Sequence, residues 1–227
     1  EQAYAIKNMY LRRLNEELQM PINMIVGNAS VARTFVTKPE RVTECIEEIS
    51  LSAKAIFRMV RQMTNTDAIQ EGTLNLQMHQ TSLESLWRNT LDIVKPSMKL
   101  RRHTLHLDMA QLYHPIVIGD VQKMQQILLN LLQNAIDYTP YGGEIFCGIK
   151  EKPLGKTSGY FEFYVQDNGV GMSDEFRKIM FEPFAREHSD RIERVEGSGL
   201  GLMIVQNLVR LLDGEIEVET RSGFGTK

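Results

Sequence analysis

Apolar residues in the first part of the chain recur at three- and four-residue steps. Between residues 3 and 35 they fall at Leu11, Leu14, Leu18, Ile22, Ile25, Ala29 and Ala32, the stripe of an amphipathic helix. Thr37 and Glu40 stand in the arrangement of a capping box, with Pro39 in the first turn, where its missing N–H costs nothing. A second helix is therefore predicted from Pro39, and its stripe of Ile46, Ile49, Ala53, Ile56, Val60 and Met63 keeps the alternation of a coiled-coil seam. Two such helices joined by a short turn form a hairpin that cannot bury its seam alone. Pairing of two hairpins into a four-helix bundle is the natural solution, and packing of one hairpin against the rest of its own chain is the alternative.

The pattern breaks at Gly72 and shifts to the alternation Leu74, Leu76, Met78, which predicts a strand. Residues 81–100 read as a helix with Leu83, Leu86, Leu91 and Val94 on one side, kinked or ended early by Pro96. Strands are predicted at 104–107, 115–118, 144–150 and 160–166, helices at 121–138, 173–180 and 200–212, and a closing strand at 215–220. The strands include hairpin-like neighbours, so an α/β sandwich with helices on one face fits best. The expected fold is α+β, with a helical hairpin domain over residues 1–69 and a two-layer α/β sandwich over residues 70–227.

Composition narrows the functions such a chain can serve. At 227 residues, 42% hydrophobic and 24% charged, it can fill one or two packed domains and is neither fibrous nor disordered. A net charge of −3 gives no cationic surplus to displace counterions, which argues against a nucleic-acid partner. Cys45 and Cys147 have no metal-ligand spacing and are too few for a disulfide framework, so both read as buried reduced thiols of a cytoplasmic domain. No apolar run approaches a membrane span. The sequence opens without Met, inside a helical pattern, and reads as part of a longer chain whose sensor or membrane segment would lie upstream.

Candidate chemistry is concentrated in the second half. Asn130 and Asn134 share one face of the helix predicted at 121–138. An amide oxygen at Asn134 suits Mg²⁺, a hard cation that keeps phosphates as its other oxygen ligands. Asp167 ends a strand before Asn168, Gly169 and Gly171. A carboxylate there can accept the hydrogen of an adenine amino group, while glycine permits a close approach that a Cβ would block. Taken alone, that stretch is also an ordinary Asn-Gly turn. Gly197, Gly199 and Gly201 precede a helix, and a glycine-rich turn at a helix N-terminus presents unpaired N–H groups to phosphate. Residues 185–196 carry Arg186, Arg191 and Arg194 and few apolar side chains, the composition of a lid or of a solvated loop.

The blocks NLLQNA from Asn130, DNGVG from Asp167, FEPF ending at Phe184, GSGLGL from Gly197 and SGFGT from Ser222 follow one order. In that order they resemble the catalytic domain of bacterial sensor histidine kinases, members of the GHKL superfamily of gyrase, chaperone and mismatch-repair ATPases. The resemblance covers the whole chain, because the hairpin stands where that family has its dimerisation and phosphoacceptor domain. It implies an ATP and Mg²⁺ site formed by Asn130, Asn134, Tyr138 at the adenine face, Asp167, Gly169, Gly171, Phe184, Arg186, Gly197, Gly199, Leu200 and Gly201, with Asn134 toward the metal. It also implies γ-phosphoryl transfer to a histidine and then to a response-regulator receiver domain, from a homodimer. The hydrolytic branch of the superfamily has a Glu four residues before the metal-binding Asn. Here that position is Asn130, an amide that cannot act as a base.

Three departures bear on the reaction. The family's phosphoacceptor block SHExRTPL corresponds to the stretch 15–23, NEELQMPIN, so Glu16 stands at the acceptor His position and Glu17 at its acidic neighbour. At 3.6 residues per turn Glu16 lies about 200° from Leu14 and is expected to point outward. Met20 replaces the polar residue that positions water for dephosphorylating a regulator, and its thioether is a weak acceptor. Asp137 stands where many relatives carry a Lys near the phosphates, and would repel a triphosphate unless it faces elsewhere. Three readings follow: an ATP-binding module without self-phosphorylation that serves a His-bearing partner kinase or regulates one; a kinase with an unconventional acceptor; and a dimerisation module with a relic pocket.

Overall fold

The computed structural model describes residues 2–70, 76–154, 159–187 and 199–227. The chain divides into two compact units, Glu1–Gly72 and Thr73–Lys227. The first consists of α1 (Gln2–Thr34) and α2 (Pro39–Gln70), packed against each other, with Pro21 inside α1. Cys45 and Ser52 are buried there, whereas Val26, Ile46 and Leu51 are 61%, 57% and 60% exposed. α2 starts at Pro39 as the sequence suggests, but the cap differs. Val42 N donates to Lys38 O at 3.2 Å, so Lys38 rather than Thr37 supplies the first helical carbonyl, and Thr37 and Glu40 are out of step for a capping box.

The second unit continues with β1 (His79–Ser82), α3 (Leu83–Leu100), β2 (Thr104–Gln111), β3 (Ile116–Gly119), α4 (Val121–Tyr138), β4 (Glu144–Pro153) and β5 (Gly159–Asp167). It ends with α5 (Asp174–Ile179), α6 (Gly201–Leu211), β6 (Thr220–Arg221) and β7 (Gly225–Thr226). A five-stranded sheet runs β2-β4-β5-β7-β6, in which the β2 and β4 pair is parallel and the other pairs are antiparallel. β1 and β3 form a separate antiparallel pair. Alternation along β4 puts Ile145, Cys147 and Ile149 fully inside, against a core of Leu83, Leu86, Trp87, Leu128, Leu132 and Ile136 from α3 and α4. This is the α+β arrangement expected. Among the described residues no helix is long and apolar enough to cross a membrane.

Three expectations are corrected. Pro96 neither ends nor breaks α3, which runs on to Leu100. Val94 and Met98, each 3% exposed, bury the helix on both sides of the proline, and that burial offsets the lost N–H bond. The strand expected from Leu74 to Met78 is not formed in its described part, residues 76–78, and pairing begins at His79. Gln77 N donates instead to Asp120 Oδ2 at 3.0 Å. The closing strand is limited to Thr220 and Arg221, since β7 offers them only Thr226 and Gly225 as partners, with Glu219 and Lys227 exchanging N–H···O bonds just beyond.

Candidate functional site

The site is built on α4, whose start is fixed by the buried Asp120. Its Oδ1 accepts the N–H groups of Gln122 and Lys123, both at 3.1 Å, and so satisfies orphan donors of the first turn. One face of the helix carries Leu128, Leu132, Ala135 and Ile136 into the core. Asn130 and Asn134 are half-buried and one turn apart. Asn130 spends its amide N–H on Gln126 O of its own helix at 2.9 Å, leaving the oxygen for another partner. α6 packs against α4, and a Cβ built at Gly201 would lie 3.4 Å from Asn130 Oδ1 and 3.8 Å from Asn134 Oδ1. Both amide oxygens therefore converge on the N-terminus of α6. α3, α4 and α5 are capped by the side chains of Ser82, Asp120 and Ser173, whereas α6 starts at the buried Leu200 with no side-chain cap. Its first N–H groups have no intrahelical acceptor, and the dipole favours negative charge there.

Asp167 closes β5 at the other end of the site. Burial raises its carboxyl above the ordinary aspartate range, against the pull of N–H groups from Gly169 and Thr226. The Gly169 N to Asp167 Oδ1 bond is 2.8 Å long. A Cβ on Gly169 would come within 2.4 Å of Tyr138 O and 2.7 Å of Asp167 Oδ1, so only glycine fits between the two. Val170 N donates to that same Tyr138 carbonyl at 3.1 Å, which joins the loop after Asp167 to the last residue of α4. Burial also raises the Tyr138 hydroxyl, with the positive charge of Arg186 acting in the opposite direction. The negative charges of Asp137 and Glu187 act with burial. Gly171, at φ +64°, faces Arg221 O.

Phe184 and Gly199 bracket the segment between FEPF and α6. Phe184 is buried, adopts φ 62° and donates its N–H to Gly199 O at 3.0 Å. Gly199, at φ +66°, has the Phe184 backbone 2.7 Å from where its Cβ would stand, so the two ends of the segment meet at a point that admits no side chain. Gly197, Arg191 and Arg194 lie outside the described residues. Glu16 and Glu17 fall within α1, but their side chains lie outside what is described, and with them the outward direction expected of Glu16.

Asp137 does not confront the site with a free charge. Its carboxylate accepts from Gln133 Nε2 at 2.9 and 3.0 Å and lies 3.7 Å from Arg101 Nη2. A wall that residue-by-residue reading missed is the terminal hairpin. Gly223 N donates to Val170 O at 2.6 Å, and Met172 N donates to Thr220 Oγ1 at 2.9 Å. The SGFGT block carried the signal for this contact, since Gly223 and Gly225 both have φ above +80°. Among the described residues no group of three His, Cys, Asp or Glu could hold a metal ion.

Residues 119–227 match the profile of histidine kinase-, DNA gyrase B-, and HSP90-like ATPases. The chain is 29% identical over 217 residues to the autoinducer 2 sensor kinase/phosphatase LuxQ of Vibrio parahaemolyticus, covering 96% of this chain and 25% of that one. It is 29% identical over 233 residues to the circadian input-output histidine kinase CikA of Thermosynechococcus vestitus, covering 100% of this chain and 31% of that protein. Its fold matches the Acinetobacter baumannii histidine kinase AdeS with a TM-score of 0.67 at 19% identity, over 92% of this chain and 93% of the other. It also matches the histidine kinase ThkA, solved in complex with the response regulator TrrA, with a TM-score of 0.71 at 20% identity, over 99% and 61%. The chain spans about a quarter of the length of the first of these curated relatives. The segment 119–227 thus resembles the histidine kinase-, DNA gyrase B-, and HSP90-like ATPases, and the chain over nearly its whole length is similar to histidine kinases in sequence and in fold, a helical hairpin followed by an α+β unit.

Proposed function

We propose that this chain is the Mg-ATP-binding core of a two-component sensor histidine kinase that does not label its own acceptor position. The observation that carries the reading is the convergence of the Asn130 and Asn134 oxygens on the start of α6. Asp167, Tyr138 and Gly169 supply an adenine end to the same site. Asn134 would contribute an oxygen to Mg²⁺, which takes the rest of its shell from phosphates and water, in keeping with the lack of a carboxylate cluster among the described residues. Bound ATP would supply the γ-phosphoryl group and Mg²⁺ would neutralise its charge. The chain's own residues position the nucleotide and, with an amide at Asn130 in place of a base, do not activate water. Phe184, Arg186, Gly199, Leu200 and Gly201 would border the phosphate end, and Gly197 is assigned there by the resemblance alone.

The nucleotide domain is read as serving a His-bearing acceptor, either a partner kinase chain or an assembly with one, and through it a response-regulator receiver domain. Homodimerisation through the hairpin is supported by the exposed Val26, Ile46 and Leu51. No nucleic-acid partner is proposed, and any membrane attachment or cytoplasmic placement belongs to the longer protein.

The test uses γ-labelled ATP with Mg²⁺ and a His-bearing homologue as acceptor. Label is expected on the homologue and not on this chain. Saturating Mg-ATP is expected to raise the melting temperature, as linkage requires of a native-state ligand, and Asn134→Ala to reduce that rise by half or more. An unchanged melting temperature in Mg-ATP defeats the proposal. A rise without any labelled product points instead to a regulatory ATP-binding module.

A further inference from the structure

Three consecutive carbonyls at the end of α4 are held by donors from outside the helix, two of them from the turn between α3 and β2. Arg101 Nη1 donates to Asp137 O at 3.3 Å, Val170 N donates to Tyr138 O at 3.1 Å, and His103 Nε2 lies 3.2 Å from Thr139 O. The same imidazole nitrogen is 3.1 Å from Pro140 O. Carbonyl oxygens only accept, so the facing pair assigns the ring proton to Nε2. Nδ1 is buried and has no hydrogen-bond partner among the described residues. A buried, unpaired ring nitrogen is costly, and an apolar side chain would avoid that cost if the position required only packing. The ring's hydrogen bonding is thus directed wholly at the end of α4.

The rest of the turn between α3 and β2 works in the same direction. Gly142 N donates to Arg101 O and Thr104 N to Gly143 O, both at 2.9 Å, while the Arg102 guanidinium lies 5.4 Å from the Tyr141 ring centroid. Tyr138 therefore sits between two residues whose carbonyls are pinned from this turn, and its own carbonyl holds the loop that starts at Asp167.

We infer that the turn 101–104 is a brace for the candidate site and that His103 is a positioning residue for Tyr138 and, through Val170, for the loop beside Asp167. Removing the imidazole leaves Thr139 O and Pro140 O without this donor, so the last turn of α4 loosens and Tyr138 O moves relative to Val170 N. The effect on nucleotide affinity rests on the ATP-binding reading above; the effect on the loop does not.

The experiment compares the intact chain with His103→Ala and with His103→Gln, whose amide N–H can reach where Nε2 donates. Amide exchange of Val170 is followed without nucleotide, and ATP and GTP affinities are measured on the folded proteins. His103→Ala is expected to speed Val170 exchange about fivefold and to weaken ATP about fivefold with a smaller effect on GTP, and His103→Gln to recover most of both. A folded His103→Ala with unchanged Val170 exchange, or a loss that His103→Gln does not recover, overturns the brace. If exchange responds but the wild-type chain binds no ATP, the brace stands and the nucleotide reading falls.

Discussion

Asp167 is held in a state that costs the folded protein and equips the site. Burial disfavours its charge, and the N–H groups of Gly169 and Thr226 only partly offset this, so its carboxyl is raised above the ordinary aspartate range. Between the ordinary value and the raised one, the folded protein binds a proton that the unfolded chain has lost. The destabilising contribution is therefore present in full above the raised pKa and relieved as pH falls through it. Asp167→Asn keeps an oxygen for Gly169 N but removes the buried charge and a strong acceptor. It is expected to raise the nucleotide-free melting temperature at neutral pH while weakening ATP binding about ten- to hundredfold. Calorimetric melting at two pH values and a nucleotide titration check both halves. A variant that binds ATP as well as wild type removes Asp167 from adenine recognition. ATP affinity of the wild type should also decline as pH falls through the raised value, since protonation removes the acceptor.

At the scale of elements, what was legible in the sequence was whatever rests on periodicity and on glycine. α4 spans the predicted residues because its apolar face is strongly periodic, and Asp120 caps it. The candidate site was legible for a related reason: Gly169 and Gly199 stand where backbone contacts leave no room for a Cβ. What misled was local propensity overridden by tertiary packing. The Leu74, Leu76, Met78 alternation predicts a strand, yet at Gln77 the Asp120 carboxylate takes the N–H that a ladder would need. His103 gave no signal either, since its contacts with Thr139 and Pro140 span 36 and 37 residues.

Pro96 shows the same contest quantitatively. A proline in a helix interior costs about 3 kcal/mol, but burying Val94 and Met98 contributes about 1.5–3 kcal/mol each, enough to carry α3 through it. Pro96→Ala restores an N–H without disturbing either buried side chain. Allowing for the extra freedom it gives the unfolded chain, it is expected to stabilise the second unit by about 2 kcal/mol. Differential scanning calorimetry reads this as an upward shift of the transition assigned to that unit. A downward shift would mean that the backbone around residue 96 is fitted to the proline.

For the molecule as a whole, the question is where a phosphoryl group could go. The hairpin and the α+β unit are both present, but position 16 of α1 carries a carboxylate where the resemblance expects an imidazole. A carboxylate can form an acyl phosphate, and an imidazole a phosphoramidate. The two are chemically distinct, since hydroxylamine cleaves the first, whereas the second is labile to acid and stable to alkali. If the nucleotide site is competent and only the acceptor is missing, Glu16→His should create acid-labile, alkali-stable labelling from γ-labelled ATP, with the unaltered chain remaining unlabelled. Hydroxylamine-sensitive label on the unaltered chain would instead make Glu16 the acceptor and refute the proposal of no self-labelling. Failure of Glu16→His to label, in a protein whose melting temperature still rises with Mg-ATP, would move the deficit beyond the acceptor to Glu17, Met20 or the nucleotide site itself. Where Glu16→His is labelled, adding Asn134→Ala identifies the source: a label that depends on Asn134 comes from the site on α4, and one that does not comes from a contaminating kinase.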